Sequence, residues 1–208
     1  MNRKGILCVV SGFSGAGKGT VMKALLDKYD NYALSISATT RDPRPGEENG
    51  REYFFMTEAE FEELIEKDAL MEYARYVNHS YGTPKAYVES KLSEGKDVIL
   101  EIEIQGALNI KKKYPEALLI FILPPTAEEL KRRLTGRGTE SADVIEKRMR
   151  RAFEESDGME SYDYVLVNDE LSVCVEQLHG LIQSQHLKTS RNLRLLGQMR
   201  EELAQLVK

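Results

Sequence analysis

The stretch Gly12-Phe13-Ser14-Gly15-Ala16-Gly17-Lys18-Gly19-Thr20, reached directly from the apolar run Ile6-Leu7-Cys8-Val9-Val10, constrains this chain more than any other. A β-favouring run that ends in glycines reads as a buried strand turning sharply. Val21, Leu25 and Lys28, with Met22, Leu26 and Tyr29 beside them, then give helical spacing. In that strand, loop and helix setting the glycines let consecutive backbone N–H groups point inward around a polyphosphate. Lys18 supplies a mobile cation, and the following helix presents its positive dipole end. The stretch is therefore read as a phosphate-binding loop. One departure from the general pattern stands out: Gly19 occupies the position after the lysine where a Ser or Thr hydroxyl would ligate Mg²⁺, and Thr20 follows one residue later. Either Thr20 takes over the hydroxyl role or water completes the metal shell, since Mg²⁺ gives up its waters reluctantly.

Downstream, residues 33–37 alternate apolar and hydroxyl side chains and predict a strand with one polar face. Residues 38–47 carry Pro43, Pro45 and Gly46, so Arg41 and Arg44 are expected on a constrained loop from which they can converge on one anion. A short strand is predicted at Tyr53-Phe54-Phe55. Thr57-Glu58-Ala59-Glu60 is a capping box opening a helix with Phe61, Leu64 and Ile65 inward. Residues 70–77 read as another strand, 81–84 as a turn and 86–92 as a helix. Residues 37–92 thus form a small mixed lobe, poor in apolar surface, inserted between parts of a parallel sheet.

That sheet resumes at residues 98–103, an apolar strand whose acids Glu101 and Glu103 arrive at its C-terminal end. Ligands of open α/β sheets bind at that end, so these carboxylates are poised for metal or substrate work. Gln105-Gly106-Ala107-Leu108 begins a crossover helix, and residues 118–123 form a buried strand by their unbroken apolar run. Thr126-Ala127-Glu128-Glu129 is a second capping box, before a helix carrying Leu130 and Leu134. Arg132, Arg133 and Arg137 beside Gly136 and Gly138 suit a lid over phosphates. A helix over 141–155 adds Arg148, Arg150 and Arg151, with Ile145, Met149 and Ala152 inward. Residues 163–168 are the last strand, and Leu171, Val175, Leu178 and Ile182 mark a helix covering the sheet. Past a polar joint at 188–191, a final helix carries the narrow stripe Leu196, Met199, Leu203 and Leu206, expected to dock on the body or on a second subunit.

The balance of 29 Lys and Arg against 34 Asp and Glu, net −5, argues against a general nucleic-acid binder, so the arginine clusters are local anion sites. No window approaches the length of apolar sequence that spans a bilayer, and no signal peptide is expected, which reads as a cytoplasmic protein. Cys8 and Cys174 lie in apolar settings without metal spacing and are expected as small buried hydrophobes. His79, His179 and His186 show no metal spacing and receive no role.

In order, the loop ending Gly-Lys-Gly-Thr, then Ser-Ile-Ser-Ala-Thr-Thr-Arg-Asp-Pro-Arg-Pro-Gly-Glu, Tyr81-Gly82-Thr83, Glu-Ile-Glu-Ile-Gln-Gly, Gly-Arg-Gly-Thr and Val-Asn-Asp make the chain resemble the guanylate kinases over nearly its whole length. The resemblance implies an α/β fold in which a P-loop parallel sheet core (residues 1–36, 93–125 and 153–187) is flanked by helices. It adds a mixed α/β GMP-binding lobe (37–92), a small helical lid (126–152) and a C-terminal helix (188–208). It implies ATP-dependent, Mg²⁺-assisted phosphorylation of GMP, and by extension dGMP, with Ser14, Gly15, Ala16, Gly17, Lys18, Gly19, Thr20, Arg133, Arg137 and Asn168 at ATP. Ser37, Arg41, Arg44, Glu47, Tyr53, Glu72, Tyr81, Gly82, Thr83 and Glu103 would hold GMP, with Glu72, Thr83 and Glu103 reading guanine. Lys18, Arg41, Arg133, Arg137 and Arg148 would stabilise the transferring group, and Thr20 and Glu101 would meet the metal directly or through water. Phe13 stands where a proline is common and is expected to shape the turn; Glu103 stands where aspartate is frequent. An adenylate-kinase-like enzyme and a non-catalytic guanylate-kinase-like interaction module are the competing readings. The intact Lys18 and lid arginines weigh against the module, and the acids and tyrosines of the inserted lobe against the adenylate-kinase-like enzyme.

Overall fold

The computed structural model describes residues 4–76, 78–136 and 142–207. The chain enters through strand β1 (Leu7–Gly12), turns through the glycine loop into helix α1 (Lys18–Lys28) and returns in β2 (Tyr32–Leu34). A second sheet follows: β3 (Ser37–Thr39), β4 (Tyr53–Phe55), helix α2 (Glu58–Glu66), β5 (Leu70–Tyr76) and β6 (His79–Pro84), closed by α3 (Lys85–Ser93). The first sheet then resumes with β7 (Asp97–Glu101), α4 (Ile104–Lys113), β8 (Leu118–Leu123), α5 (Ala127–Thr135), α6 (Ala142–Ser156), β9 (Tyr164–Val167) and α7 (Leu171–Gln185). Helix α8 (Leu193–Leu206) ends the described chain.

The core sheet has the order β2-β7-β1-β8-β9, and every pair in it is parallel. Because side chains alternate along a strand, the apolar runs supply two faces at once. Cys8, Val10, Ile99, Ile120 and Ile122 pack with Val21 and Leu25 of α1, Leu130 and Leu134 of α5, and Val175 and Leu178 of α7. On the other face Leu7, Val9, Val98, Leu100 and Leu119 pack with Val88 and Leu92 of α3 and Ala107 and Ile110 of α4. Each fully buried aliphatic side chain contributes roughly 1.5–3 kcal/mol against exposure. Both cysteines are buried, and burial pushes the Cys174 thiol up to about 11. Among the described residues no helix is long and apolar enough to cross a membrane.

The second sheet has the order β4-β3-β6-β5 around a small cluster of Ala38, Phe61 and Leu70, fringed by Phe54, Met56, Leu64 and Ile65. Met71 of β5 is buried with α4 in the core cluster and fastens this lobe to the body. The complete capping box at Thr57 and Glu60 opens α2 as expected.

Several expectations are corrected. The single strand predicted over 33–37 is two strands in two sheets. Core pairing stops at Leu34 with one further bond from Ser35 N to Ile99 O (2.8 Å), and Ser37 pairs instead with Tyr53. Strand β7 ends at Glu101, and Glu103 precedes the first turn of α4. The turn predicted at 81–84 is the inner strand β6. Gly82 is there because a Cβ would lie 3.0 Å from Glu72 O and from Leu70 Cδ1, and Pro84 is tolerated at the strand's end. The second capping box is half made: Thr126 Oγ1 accepts from Glu129 N, but the Glu129 carboxylate is drawn to Arg132 and Arg133. Leu171 of α7 is exposed, and no residue of α8 is buried, so of the two dockings expected for its stripe, on the body or on a second subunit, the first is not seen among the described residues.

Candidate active site

The phosphate loop leaves the C-terminal end of β1 at the centre of the sheet. Its shape is dictated by contact. A Cβ on Gly12 would come within 2.3 Å of Ile122 O, and one on Gly17 (φ 88°) within 2.5 Å of Asn168 Nδ2. Gly17 is the residue before α1, and no side chain caps that helix, leaving its first N–H groups for an anion. At Gly19, by contrast, a Cβ would meet no protein atom within 4 Å, so protein crowding does not explain that glycine and the space over the backbone is open. Phe13 does more than shape the turn: it is buried edge-on against Phe121, ring centroids 5.2 Å apart, and pins the loop to β8. Lys18 Nζ curls back to donate to Gly12 O (2.7 Å) and Phe13 O (3.3 Å).

Two further elements brace the loop. Asn168, just past β9, donates from Nδ2 to Ala16 O (2.9 Å) and accepts Arg133 Nη2 on its carbonyl (2.8 Å). Arg133 also donates to Ala16 O (3.3 Å) and, through Nε, to Glu129 (2.7 Å). The guanidinium groups of Arg132 and then Arg133 hold the Glu129 carboxyl down to about 2, so it is charged throughout the working range and orients Arg133. From α6, Arg148 Nη1 donates to Ser14 Oγ (3.1 Å). Arg137 lies outside the described residues.

Over the loop opens a cavity of about 360 Å³ lined by Gly12, Ser14, Lys18, Glu101, Glu103, Arg148 and Arg151 among others. A second, of about 310 Å³, is lined on the lobe side by Ser37, Tyr53, Glu72, Tyr81 and Gly82 and on the core side by Gln105 and Gly106. Glu101, Ile102 and Glu103 line both, so the end of β7 is the wall where the two cavities meet. Glu101 is exposed as a residue, yet enough protein surrounds its carboxyl that desolvation pushes its pKa up, with Lys18 opposing.

Glu72 is the most constrained acid of the second cavity. It is 7% exposed, Thr83 Oγ1 donates to its Oε1 (2.7 Å), and a Cβ on Gly106 would crowd its Oε2 at 2.9 Å. Burial raises its pKa, partly offset by the Thr83 hydroxyl and by Lys113. At the other end Tyr53 and Tyr81 stand edge to face, and the Arg41 guanidinium lies over the rings of Tyr53 (5.3 Å) and Phe55 (5.7 Å). Glu47 accepts from Arg44 N (2.8 Å) and, through both oxygens, from Arg41 Nη2 (3.0 and 2.9 Å), and these bonds, the one from Arg44 N foremost, keep its carboxyl below the usual range. Arg44 is exposed and joins this cluster through its backbone. Thr20 is exposed in the first turn of α1.

Sequence reasoning missed the orienting acid Glu129, the lining residues Gln105 and Gly106, and the pairing of Arg151 with Glu103. Only the capping pattern at 126–129 hinted at the first of these. The arginine cluster of α6 also divides: Arg148 and Arg151 face the cavity, whereas Arg150 pairs with Glu146 on the solvated face.

Residues 4–185 match the family model for guanylate kinase. Over 202 residues the chain is 50% identical to the guanylate kinase of Caldanaerobacter subterraneus subsp. tengcongensis, covering 97% of this chain and 98% of that protein. It is 50% identical over 191 residues to that of Oceanobacillus iheyensis, covering 92% and 93%. The crystal structure of guanylate kinase from Anaplasma phagocytophilum is 31% identical with a TM-score of 0.74, covering 94% of each chain. Every residue lining the two cavities falls inside the matched segment, and with relatives aligned almost end to end the chain belongs to the guanylate kinase family.

Proposed function

We propose that this protein transfers the γ-phosphoryl group of ATP to GMP. The observation that carries the reading is the pair of cavities meeting at Glu101 to Glu103, one floored by the phosphate loop and Lys18, the other ending on the buried acid Glu72. ATP would lie on the backbone of residues 14–20, with Asn168 and Arg133 bracing the loop near adenine. GMP would bring guanine to Glu72, Thr83 and Glu103, and its phosphate to Ser37, Tyr53, Tyr81, Gly82, Arg41 and Arg44. Glu47 then acts by aiming Arg41 rather than by touching phosphate, since two anions would repel.

No protein nucleophile is required. The acceptor phosphate oxygen attacks the γ-phosphorus in line, and catalysis consists of positioning and charge neutralisation by Lys18, Arg148 and the lid arginines Arg133 and Arg137. Closure of the lobe (37–92) and lid (126–152) over the nucleotides excludes water, which would otherwise accept the phosphoryl group. Among the described residues no group of three or more His, Cys, Asp or Glu is placed to hold a metal by itself. Glu101 and Thr20 would hold a Mg²⁺ directly or through water, the nucleotide phosphates and water supplying the rest of its donors. When bound, the ion neutralises charge on the phosphoryl oxygens.

Such an enzyme works in the cytoplasm, where its nucleotide substrates are. With α8 uncovered by its own chain, its stripe is assigned to a second copy of the protein. The test of the activity is ADP release coupled to NADH oxidation. Turnover with ATP is expected to require GMP, and GMP-independent ADP release, or none with GMP present, would contradict the reading.

A further inference from the structure

Arg151 of α6 donates from Nη2 to both carboxylate oxygens of Glu103 at 2.8 Å each, and from Nε to Glu155 at 2.8 Å. Glu103 lines both cavities, whereas Arg151 lines the one over the phosphate loop. Arg151 and Arg148 are three residues apart on α6 and so share a helix face, and Arg148 already reaches the loop at Ser14. The pair with Glu103 therefore ties a carboxylate of the acceptor cavity to a cation of the donor cavity.

We propose that Arg151 is a positioning residue that couples the two substrate sites: guanine draws Glu103 away, and the guanidinium, still steadied by Glu155, turns to the donor phosphates beside Lys18 and Arg148. The proposal rests on the reading of the two cavities as ATP and GMP sites. The energetics suit such an exchange. The Glu103 and Arg151 side chains are 64% and 36% exposed, and an ion pair that open to water contributes little net stability, so a ligand can replace it at small cost. In the absence of nucleotide the two acids, Glu103 and Glu155, neutralise a guanidinium that would otherwise repel Arg148 and Lys18 across the same cavity. When GMP takes Glu103, that cavity keeps its cations and loses one of the two acids held against Arg151, Glu155 remaining, so its affinity for a polyphosphate rises. Coupling of this kind is reciprocal: GMP must tighten ATP by the factor by which ATP tightens GMP.

The test is calorimetric titration of the full chain with the β,γ-imido analogue of ATP, with and without saturating GMP, in the unmodified protein and in Arg151→Gln, Arg151→Lys and Glu103→Gln. In the unmodified protein GMP is expected to tighten the analogue at least about fivefold, the lower end of ordinary coupling. Arg151→Gln should bring that factor close to one while leaving the affinity for GMP alone unchanged or tighter, a sign that a merely structural role would not produce. Arg151→Lys should restore part of the coupling. Glu103→Gln, which removes the Glu103 charge from Arg151 without GMP, should tighten the analogue in the absence of GMP and weaken GMP itself. Full coupling in Arg151→Gln, or weaker binding of GMP alone in that variant, overturns the proposal. Binding of GMP without coupling in the unmodified protein overturns the role of Arg151 and leaves the two-site reading intact, whereas failure to bind GMP at all overturns both.

Discussion

Glu72→Gln separates what Glu72 does for the fold from what it does for the substrate. Burial raises the pKa of this carboxyl, so the folded protein holds the neutral form better than the unfolded chain does. As pH rises past the ordinary carboxylate range, the unfolded chain releases its proton first. Stability is then lost until the folded-state pKa is passed, and at neutral pH the charge is a net cost. Glutamine has nearly the same shape, its amide oxygen can still accept the Thr83 hydroxyl (2.7 Å from Oε1), and no charge remains to be desolvated. Unfolding in urea at pH 7 should therefore show Glu72→Gln at least as stable as the unmodified protein. Guanine, however, presents two adjacent donors, N1–H and the 2-amino group, and hydrogen bonds to a charged acceptor contribute about 1.5–3 kcal/mol each. The amide keeps one acceptor and turns an NH₂ toward the second donor, a loss of roughly 3–4 kcal/mol, or about 10²- to 10³-fold in kcat/KM for GMP. In the unmodified enzyme kcat/KM for GMP should also fall on acidification at a higher pH than a free carboxylate would give. A Glu72→Gln variant within threefold of normal kcat/KM, or one clearly less stable, would refute this reasoning.

Lys18→Met should leave a folded protein whose kcat is at least about a hundredfold lower, since removing one preorganised group at the developing charge typically costs 2.7–4 kcal/mol of barrier. Circular dichroism with the coupled assay checks it, and near-normal turnover would remove Lys18 from the chemistry. Ending the chain after Asn192 deletes a helix none of whose own residues is buried. The body should keep its melting temperature at high dilution while losing self-association in sedimentation velocity, and an unchanged association state would contradict the assignment of α8 to a second copy.

The features visible in the sequence are those that local chemistry dictates. Unbroken apolar runs at 118–123 and 6–10, short and bounded by proline or glycine, read as buried strands, and the glycines of the phosphate loop and the Thr57 box announce their own geometry. Pairing across long separations was invisible. The alternation at 33–37 says that one face is polar but not which sheet supplies the partner, and the chain changes sheets there. Gly82 and Pro84 carry a turn signature that the strands on either side of β6 override. His186, given no role, is buried with its Nε2 2.7 Å from Asp97 Oδ1, 89 residues away, in a group that also binds Ile6 N. His179 of α7 stacks on Tyr29, just past α1, at 3.8 Å and bonds Tyr32 of β2. In the site, residue type gave the acids and arginines, but only coordinates show that Glu47 occupies Arg41 and that Glu103 is held by Arg151.

The central claim, that the cavity ending on Glu72 reads guanine, is tested most directly by kcat/KM for GMP against AMP under saturating ATP and Mg²⁺. Adenine has no 2-amino group and offers a lone pair at N1, so AMP would leave a desolvated carboxylate facing an acceptor. Sites built on such hydrogen bonds reject the wrong partner by roughly 10⁴-fold, where an apolar pocket manages far less. A ratio of at least about a thousandfold in favour of GMP is predicted, and comparable efficiency with the two nucleotides would contradict it.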